Sequence, residues 1–280
     1  MKPKENPIKV KDHFNSGETF SLEKDEQFGF LKTTPIPHDL QKYYDHEDYI
    51  SHTDSKRTLF DLAYQFIKGI ALKRKVKLIN DLNPSEKSLL DIGCGAGDFL
   101  SEAKKDGWAV TGIEPNDTAN NIASTKISQE VLNDVEDICI ERSFRVITLW
   151  HVLEHLPDLN TKISRIKKLL ANNGWLIIAV PNHQSFDASY YKEYWAAYDV
   201  PRHLWHFDKD SLKKLMDFHE MEVKEIAPMK FDSYYVSLLS EKYKSGWLNI
   251  FNALFVGSRS NLKARSNMNY SSLIYLVQKK

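Results

Sequence analysis

Between residues 88 and 180 the chain alternates short apolar blocks with runs of helical spacing. Leu89-Leu90-Asp91-Ile92, Ala109–Ile113, Phe144–Leu149 and Trp175–Val180 are blocks of four to six residues, rich in Leu, Val and Ile. That is the length and composition of strands buried within a sheet. Helical patterns separate them. Phe99 and Leu100 open one, Asp117 to about Lys126 forms another, and Ile163, Ile166, Leu169 and Leu170 make a third, stopped by Asn172-Asn173-Gly174. Strand following helix in this rhythm predicts an α/β, doubly wound sheet.

The flanks extend the pattern. Leu59, Leu62, Ala63, Phe66, Ile67 and Ile70 follow i, i+3, i+4, i+7 spacing and predict a helix from Ser55, capped by Asp54 or Ser55 and separated from the first strand by Asn83-Pro84-Ser85. Asp208 or Asp210 can cap a helix holding Leu212, Leu215, Met216 and Phe218, ahead of an alternating strand at Met221–Ile226. Ser272–Val277 is the last strand. Residues 1–54 have no helical period but carry β-like pieces at Thr19–Leu22 and Phe28–Leu31, then Pro35 and Pro37. They read as a small N-terminal extension with a hairpin, the main domain running over 55–280. Two stretches stand outside the alternation. Residues 183–207, dense in tyrosine, tryptophan and histidine, read as a loop that carries substrate specificity. Residues 229–269 mix large apolar side chains with lysines and arginines, and read as a packed helical lid or as a surface that rests on a membrane or holds a greasy acceptor.

Charge and cysteine content narrow the function classes. Lys+Arg and Asp+Glu both number 38, so no basic footprint for nucleic acid is visible. Cys94 and Cys139 make neither a disulfide framework nor a cysteine zinc site, which suits a reducing cytoplasm. Met1-Lys2-Pro3-Lys4-Glu5-Asn6 has no apolar core behind it and does not read as a signal peptide. The longest apolar runs fall far short of the ~20 residues of a membrane span. A cytoplasmic protein is expected, with membrane contact at most peripheral.

Chemistry enters at Asp91-Ile92-Gly93-Cys94-Gly95-Ala96-Gly97-Asp98. Three glycines at alternate positions join a strand to a helix, where side chains would clash in the turn or hold the backbone off a ligand. A dinucleotide fingerprint would place its third glycine or alanine at position 98 and leave the helix N-terminus free for a pyrophosphate. An acid stands there instead. With Asp91 ahead of the first glycine, two carboxylates would repel a pyrophosphate and attract a ligand carrying an amino group and a sulfonium. That selects S-adenosylmethionine. These residues resemble motif I of the class I (Rossmann-like) methyltransferases, and the resemblance runs from about Ser88 to Phe207, toward bacterial small-molecule enzymes acting on quinones and sugars.

The resemblance implies a seven-stranded sheet with the last strand antiparallel. It also implies a cofactor site made of Asp91, Gly93, Cys94, Gly95 and Gly97, then Glu114 and Pro115, Asp134 and Val135, and Trp150 and His151. Glu114, about twenty residues past the turn, is placed to accept two ribose hydroxyls, as it would be in an NAD enzyme. Asp134 would meet the adenine amino group and the Val135 N–H a ring nitrogen. Trp150 would lie beside the cofactor and His155 would face the transferable methyl. Asp199-Val200-Pro201-Arg202-His203-Leu204 resembles a motif beside the acceptor site. Arg202 could pair with an acceptor carboxylate or phosphate, and His203 could take the acceptor's proton; both residues could equally be structural hydrogen-bonding groups. His155 and His203 are therefore the candidate catalytic residues, and Tyr44, Tyr49, Tyr194, Arg202 and His206 the candidate substrate contacts. Residues 43–52, with His52, read as a flap over the site or as a segment packed by its tyrosines. In related bacterial methyltransferases the N-terminal segment is a cysteine-liganded zinc module. No cysteine precedes Cys94, so this one reads as such a module without its metal. The expected acceptor is a small molecule (a sugar, nucleotide-sugar, quinone or lipid-linked compound) methylated on oxygen, nitrogen or carbon.

Other chemistries use some of the same letters. His151, Glu154 and His155 spell H-x-x-E-H, the inverted zinc-protease motif, but Pro157 would break the long helix it requires at a cost of ~3 kcal/mol. No metal site is expected. An NAD-dependent oxidoreductase would need the acids around the glycine turn to be harmless. A protein that keeps the fold without turnover would be a silent S-adenosylmethionine-binding module.

Overall fold

The computed structural model describes residues 7–44 and 59–280, the side chains of 59–67 excepted. Tyr49, His52 and the rest of the expected flap beyond Tyr44 lie outside the described residues. In chain order the strands are β1 (Ile8–Lys11), β2 (Thr19–Lys24), β3 (Leu31–Thr34), β4 (Ser88–Ile92), β5 (Ala109–Ile113), β6 (Phe144–Trp150), β7 (Leu170–Pro181), β8 (Trp205–His206), β9 (Met221–Pro228) and β10 (Ser272–Lys279). The described helices are α1 (Leu59–Asp81), α2 (Asp98–Lys105), α3 (Asp117–Ile127), α4 (Leu159–Leu169), α5 (Phe186–Tyr191), α6 (Lys209–Phe218), α7 (Asp232–Ser245) and α8 (Ile250–Asn267). Two compact units result. One comprises His46–Val152, Asp158–Ile178 and Val277–Lys280, the other Met1–Asp45, Leu153–Pro157 and Ala179–Leu276.

The larger sheet is mostly parallel and has six strands in the order β5-β4-β6-β7-β10-β9. β4 pairs in parallel with β5 on one side and β6 on the other, Asp91 lying opposite Gly112 and Thr148. Leu89, Leu90, Val146 and Ile147 are wholly buried, which is why these strands read as unbroken apolar blocks. The third strand of the seven expected contracts to a single parallel bridge between Leu132 and Ile113. Leu132 donates to the Gly112 carbonyl at 3.0 Å and accepts from the Glu114 N–H at 2.8 Å. Polar Gln129-Glu130 and Asn133-Asp134 flank the apolar pair, so pairing stops there and the chain turns into a short 3-10 helix, Val135–Asp137. At the other edge the Asn182 N–H donates to the Ser271 carbonyl at 2.8 Å and the Met229 N–H to the Ser272 carbonyl at 3.1 Å. The start of β10 therefore lies beside the ends of β7 and β9, and the last strand runs antiparallel, as the resemblance implies.

A second sheet, in the order β1-β2-β3-β8, is antiparallel. The hairpin's second strand begins at Leu31, later than the expected Phe28–Leu31, because Asp25 Oδ1 holds the turn open by accepting from the N–H groups of Gln27 and Phe28. β3 pairs with β8, Leu31 opposite His206 and Lys32 opposite Trp205. The N-terminal strands thus share a sheet with the 183–207 stretch, which is not an open loop but holds α5 and two 3-10 turns. A core of Phe20, Leu22, Tyr43, Tyr191, Trp195 and Tyr198 fills this unit. Asp187, fully buried, ties its segments together by accepting from Trp195 Nε1 at 2.8 Å, Ser260 Oγ at 2.6 Å and Ser271 Oγ at 2.7 Å.

Candidate active site

The glycine turn follows directly from β4. Gly93, Gly95 and Gly97 have φ of +68°, +54° and +74°, a left-handed backbone that glycine adopts without steric cost. A Cβ on Gly93 would lie 2.4 Å from Val152 and one on Gly97 2.9 Å from Ala123, so packing excludes side chains at both. A Cβ on Gly95 would meet nothing within 4 Å. The backbone there borders open space, and its N–H donates to Glu114 Oε2 at 2.9 Å. Glu114 Oε1 accepts from the Asn116 N–H at 3.0 Å. A carboxylate offers about four acceptor positions, so Glu114 is oriented by two backbone donors and keeps capacity for ligand hydroxyls.

Asp91 lies one residue before the end of β4 and is buried, its Oδ1 accepting from Thr148 Oγ1 at 2.6 Å. Burial lifts its pKa to about 7; Thr148 and Lys75 pull against that, and the nearby Glu114 adds to it. Cys94 is pushed well above the usual thiol range by burial, then by Asp91 and Glu114, which leaves it an unreactive thiol. Trp150 is buried, its ring edge-on to Phe99 at 5.6 Å and 4.3 Å from Lys75 Nζ, while its indole N–H has no acceptor among the described residues. His151 takes φ +58°, a conformation that costs a non-glycine residue on the order of 1 kcal/mol and gathers at functional sites.

In the other unit the two candidate histidines meet. The rings of His155 and His203 are 4.5 Å apart and nearly perpendicular. His155 Nδ1 lies 3.0 Å from the Arg202 carbonyl, which can only accept, so Nδ1 carries the proton and Nε2 is the basic atom. The Tyr44 hydroxyl is 3.0 Å from the same Nδ1. His203 Nδ1 donates to the Ala197 carbonyl at 2.9 Å, which again leaves Nε2 basic. Burial, then the neighbouring His203, lower the His155 pKa to about 4, so it is neutral at physiological pH. Against the expectation of no metal site, Glu154, His155 and His203 bring one donor atom each within 4.8 Å of one another, a set that can hold a metal ion.

A family model described as "Methyltransferase domain" matches residues 65–225, more than half of the chain. The chain belongs to the methyltransferase domain family. It is 30% identical to the ubiquinone biosynthesis O-methyltransferase of Nitrosomonas europaea over 106 residues, 35% of this chain and 45% of that protein. It is 34% identical to the Coxiella burnetii (strain Dugway 5J108-111) protein of the same name over 113 residues, 38% of this chain and 47% of that one. The matched region thus spans about half the length of these relatives. Among solved structures, magnesium protoporphyrin IX methyltransferase from Synechocystis PCC 6803 with bound SAH gives a TM-score of 0.54 at 13% identity, covering 86% of this chain and 92% of that one. The same enzyme with bound SAM gives 0.53. These likenesses establish the methyltransferase fold.

Several expectations for the site need correcting. Asp98, paired with Asp91 in the electrostatic argument, forms salt bridges with Lys68 at 2.7 Å and Lys126 at 2.6 Å, so its charge is spent on α1 and α3. The second acid at the turn is Glu114. Arg202 does not present a free guanidinium to an acceptor: it is 1% exposed and bonded to Asp199 (2.6 Å), Asp12 (3.1 Å) and the Tyr43 carbonyl (3.2 Å). His206, taken as a substrate contact, is buried. Thr33 Oγ1 donates to the His203 carbonyl at 2.7 Å and so accepts from His206 Nε2 at 3.0 Å, a structural bond between β3 and β8. Tyr194 packs on His13, ring centroids 5.5 Å apart. Asp134 caps the 3-10 helix through the Glu136 N–H and pairs with Lys162 at 2.8 Å; Val135 is buried and Pro115 exposed. As Pro157 leads one to expect, H-x-x-E-H forms no long metal-binding helix: His151 follows the end of β6 at Trp150, and Leu153–His155 is a single 3-10 turn.

Sequence reasoning missed two groups. Lys75, beside Trp150 and Asp91, carries no motif. Asn120, in the middle of α3, donates from Nδ2 to the Glu114 carbonyl (3.0 Å), the Val131 carbonyl (3.1 Å) and Asn133 Oδ1 (2.9 Å), fixing the chain around Glu114. A buried asparagine inside a predicted helix is the one signal that could have found it.

Proposed function

We propose that this protein transfers the methyl group of S-adenosylmethionine to an oxygen of a small-molecule acceptor. The observation that carries the reading is the pair of acids at the glycine turn: Glu114, half-buried and aimed by the Gly95 and Asn116 amides beside the open face of Gly95, and Asp91, buried near the end of β4. The rest of the donor set fits the same ligand. Asp91 sits poised at a pKa of about 7, where a nearby cation completes its ionisation, and the Trp150 indole N–H awaits an acceptor. A pyrophosphate would meet the two carboxylates Asp91 and Glu114 here, which argues against NAD.

Bound S-adenosylmethionine supplies a methyl already activated by its sulfonium, so the protein's part is alignment, exclusion of water and handling of one proton. Glu114 binds the nucleoside hydroxyls and Asp91 answers the positive charge. His155 and His203 offer basic Nε2 atoms to take the acceptor's proton, with Tyr44 and the Arg202 carbonyl holding the His155 ring. Oxygen is favoured as the acceptor atom because the ubiquinone relatives are O-methyltransferases by name.

The test is transfer of labelled methyl from S-adenosylmethionine to a panel of phenols, catechols and sugars. The reading predicts product from at least one acceptor and loss of about a hundredfold or more in rate for a His155→Ala/His203→Ala double variant. A protein that binds S-adenosylhomocysteine yet methylates nothing in the panel is a binding module, and the enzymatic reading falls.

A further inference from the structure

α8 is packed inside out. A helix of a water-soluble domain buries its large apolar residues and shows polar ones. α8 buries Ala253, Val256, Gly257, Ser260 and Ala264 and turns Phe251, Leu254 and Phe255 outward, exposed by 89%, 50% and 60%. The close approach to α7 requires the small residues: a Cβ on Gly257 would lie 2.7 Å from Tyr234 Cδ1 and 3.1 Å from the Ser233 carbonyl. The α7–α8 link adds Trp247 (59% exposed) and Leu248 (45%), and Ile250 (52%) opens the helix. Six large apolar side chains within nine residues are thus turned to solvent at one end of a helical hairpin. Scattered surface apolar residues are ordinary, but a contiguous set of this size marks a surface with a partner.

Charge identifies the partner. From Lys242 onward the sequence contains no Asp or Glu; Lys242 and Lys244 immediately precede the apolar tip, and Arg259, Lys263 and Arg265 follow it along α8, Arg259 and Lys263 lying over the Phe186 ring. Lys242 and Lys244 are exposed in the last turn of α7, immediately before Trp247. A second copy of the chain would bring the same positive patch against the same face, where like charges oppose association. An anionic phospholipid surface satisfies both features, taking the apolar side chains among acyl chains, the indole at the headgroup level and the cations against phosphate. We propose that the tip of the α7–α8 hairpin, residues 242–255, docks this protein onto anionic lipid bilayers. The docking is peripheral, since no described helix is long and apolar enough to cross a membrane. It stands on the surface alone, independently of the methyl-transfer reading.

Sedimentation of the full chain with vesicles tests it. The parent should bind vesicles of phosphatidylcholine mixed with phosphatidylglycerol, at least about tenfold more tightly than pure phosphatidylcholine, and release in high salt. Phe251→Ser/Phe255→Ser alters only exposed side chains, should keep the parent's circular dichroism and melting temperature, and should lower partitioning about tenfold or more. Lys242→Glu/Lys244→Glu should abolish the preference for phosphatidylglycerol. Failure of the parent to sediment with anionic vesicles, or equal binding by the phenylalanine variant, overturns the proposal. A dimer in light scattering that the phenylalanine variant dissolves would give the face to a second copy and overturn it equally.

Discussion

Asp91 is a carboxylate on an interior strand whose pKa burial has moved from 3.8 to about 7. In the ligand-free protein its folded pKa exceeds its unfolded one, so its contribution to stability is fully present below pH 3.8 and is lost as pH rises through 7. Asp91→Asn should therefore stabilise the ligand-free protein relative to the parent at pH 8 and not at pH 4, as read by thermal denaturation. A cationic ligand reverses the preference by favouring the ionised form. Binding then releases a proton below pH 7, and affinity for S-adenosylmethionine should climb up to about tenfold per pH unit from 5 toward 7 and flatten above. Calorimetry across that range checks it, and a dependence that survives in Asp91→Asn would place the proton elsewhere. The glycines, Asp91 and Glu114 were readable from the sequence because a tight turn and its acids are local. The role of Asp98 is not readable in that way, because Lys68 and Lys126 reach it from helices whose packing no local pattern declares.

At the scale of elements, the blocks that became β4, β5, β6 and β7 were legible because parallel strands buried on both faces leave unbroken apolar runs. Asp208 was legible as a cap and closes a full capping box with Ser211 at the start of α6. The third strand was not, since a two-residue apolar pair yields one bridge and its neighbours prefer a turn. Nor was β8, two residues long and held by a partner far upstream. Arg202 shows the limit most plainly: it pairs with Asp12, 190 positions away, and with Asp199. One buried guanidinium between two carboxylates fixes the N-terminal strands to the 195–204 segment. Arg202→Met should cost about 3–5 kcal/mol in urea unfolding by stranding Asp12 and Asp199. Arg202→Lys should recover only part, because an ammonium cannot reproduce the fork that spans two acids and the Tyr43 carbonyl. A loss under 1 kcal/mol in Arg202→Met would return the guanidinium to a role in acceptor binding.

For the molecule as a whole, zero net charge hides a division. With 38 charges of each sign, all seven lysines and arginines after Glu241 come without an acid, so the preceding residues carry an excess of seven negative charges. The composition of the whole chain, with its charges in balance, does not show this local basic excess beside the exposed tip of the α7–α8 hairpin. The family and the class of fold were legible from one turn; the acceptor was not, because tyrosines and histidines suit many hydroxylated compounds. The central claim is that Asp91 and Glu114 make the glycine turn a seat for a cationic adenosine derivative. Calorimetric titration of the parent, Asp91→Ala and Glu114→Ala with S-adenosylmethionine, beside NAD, tests that claim most directly. The account predicts saturable binding of S-adenosylmethionine by the parent, at least about tenfold weaker binding by each variant, and no heat from NAD. Binding of NAD by the parent, or variants that hold S-adenosylmethionine as the parent does, would contradict it.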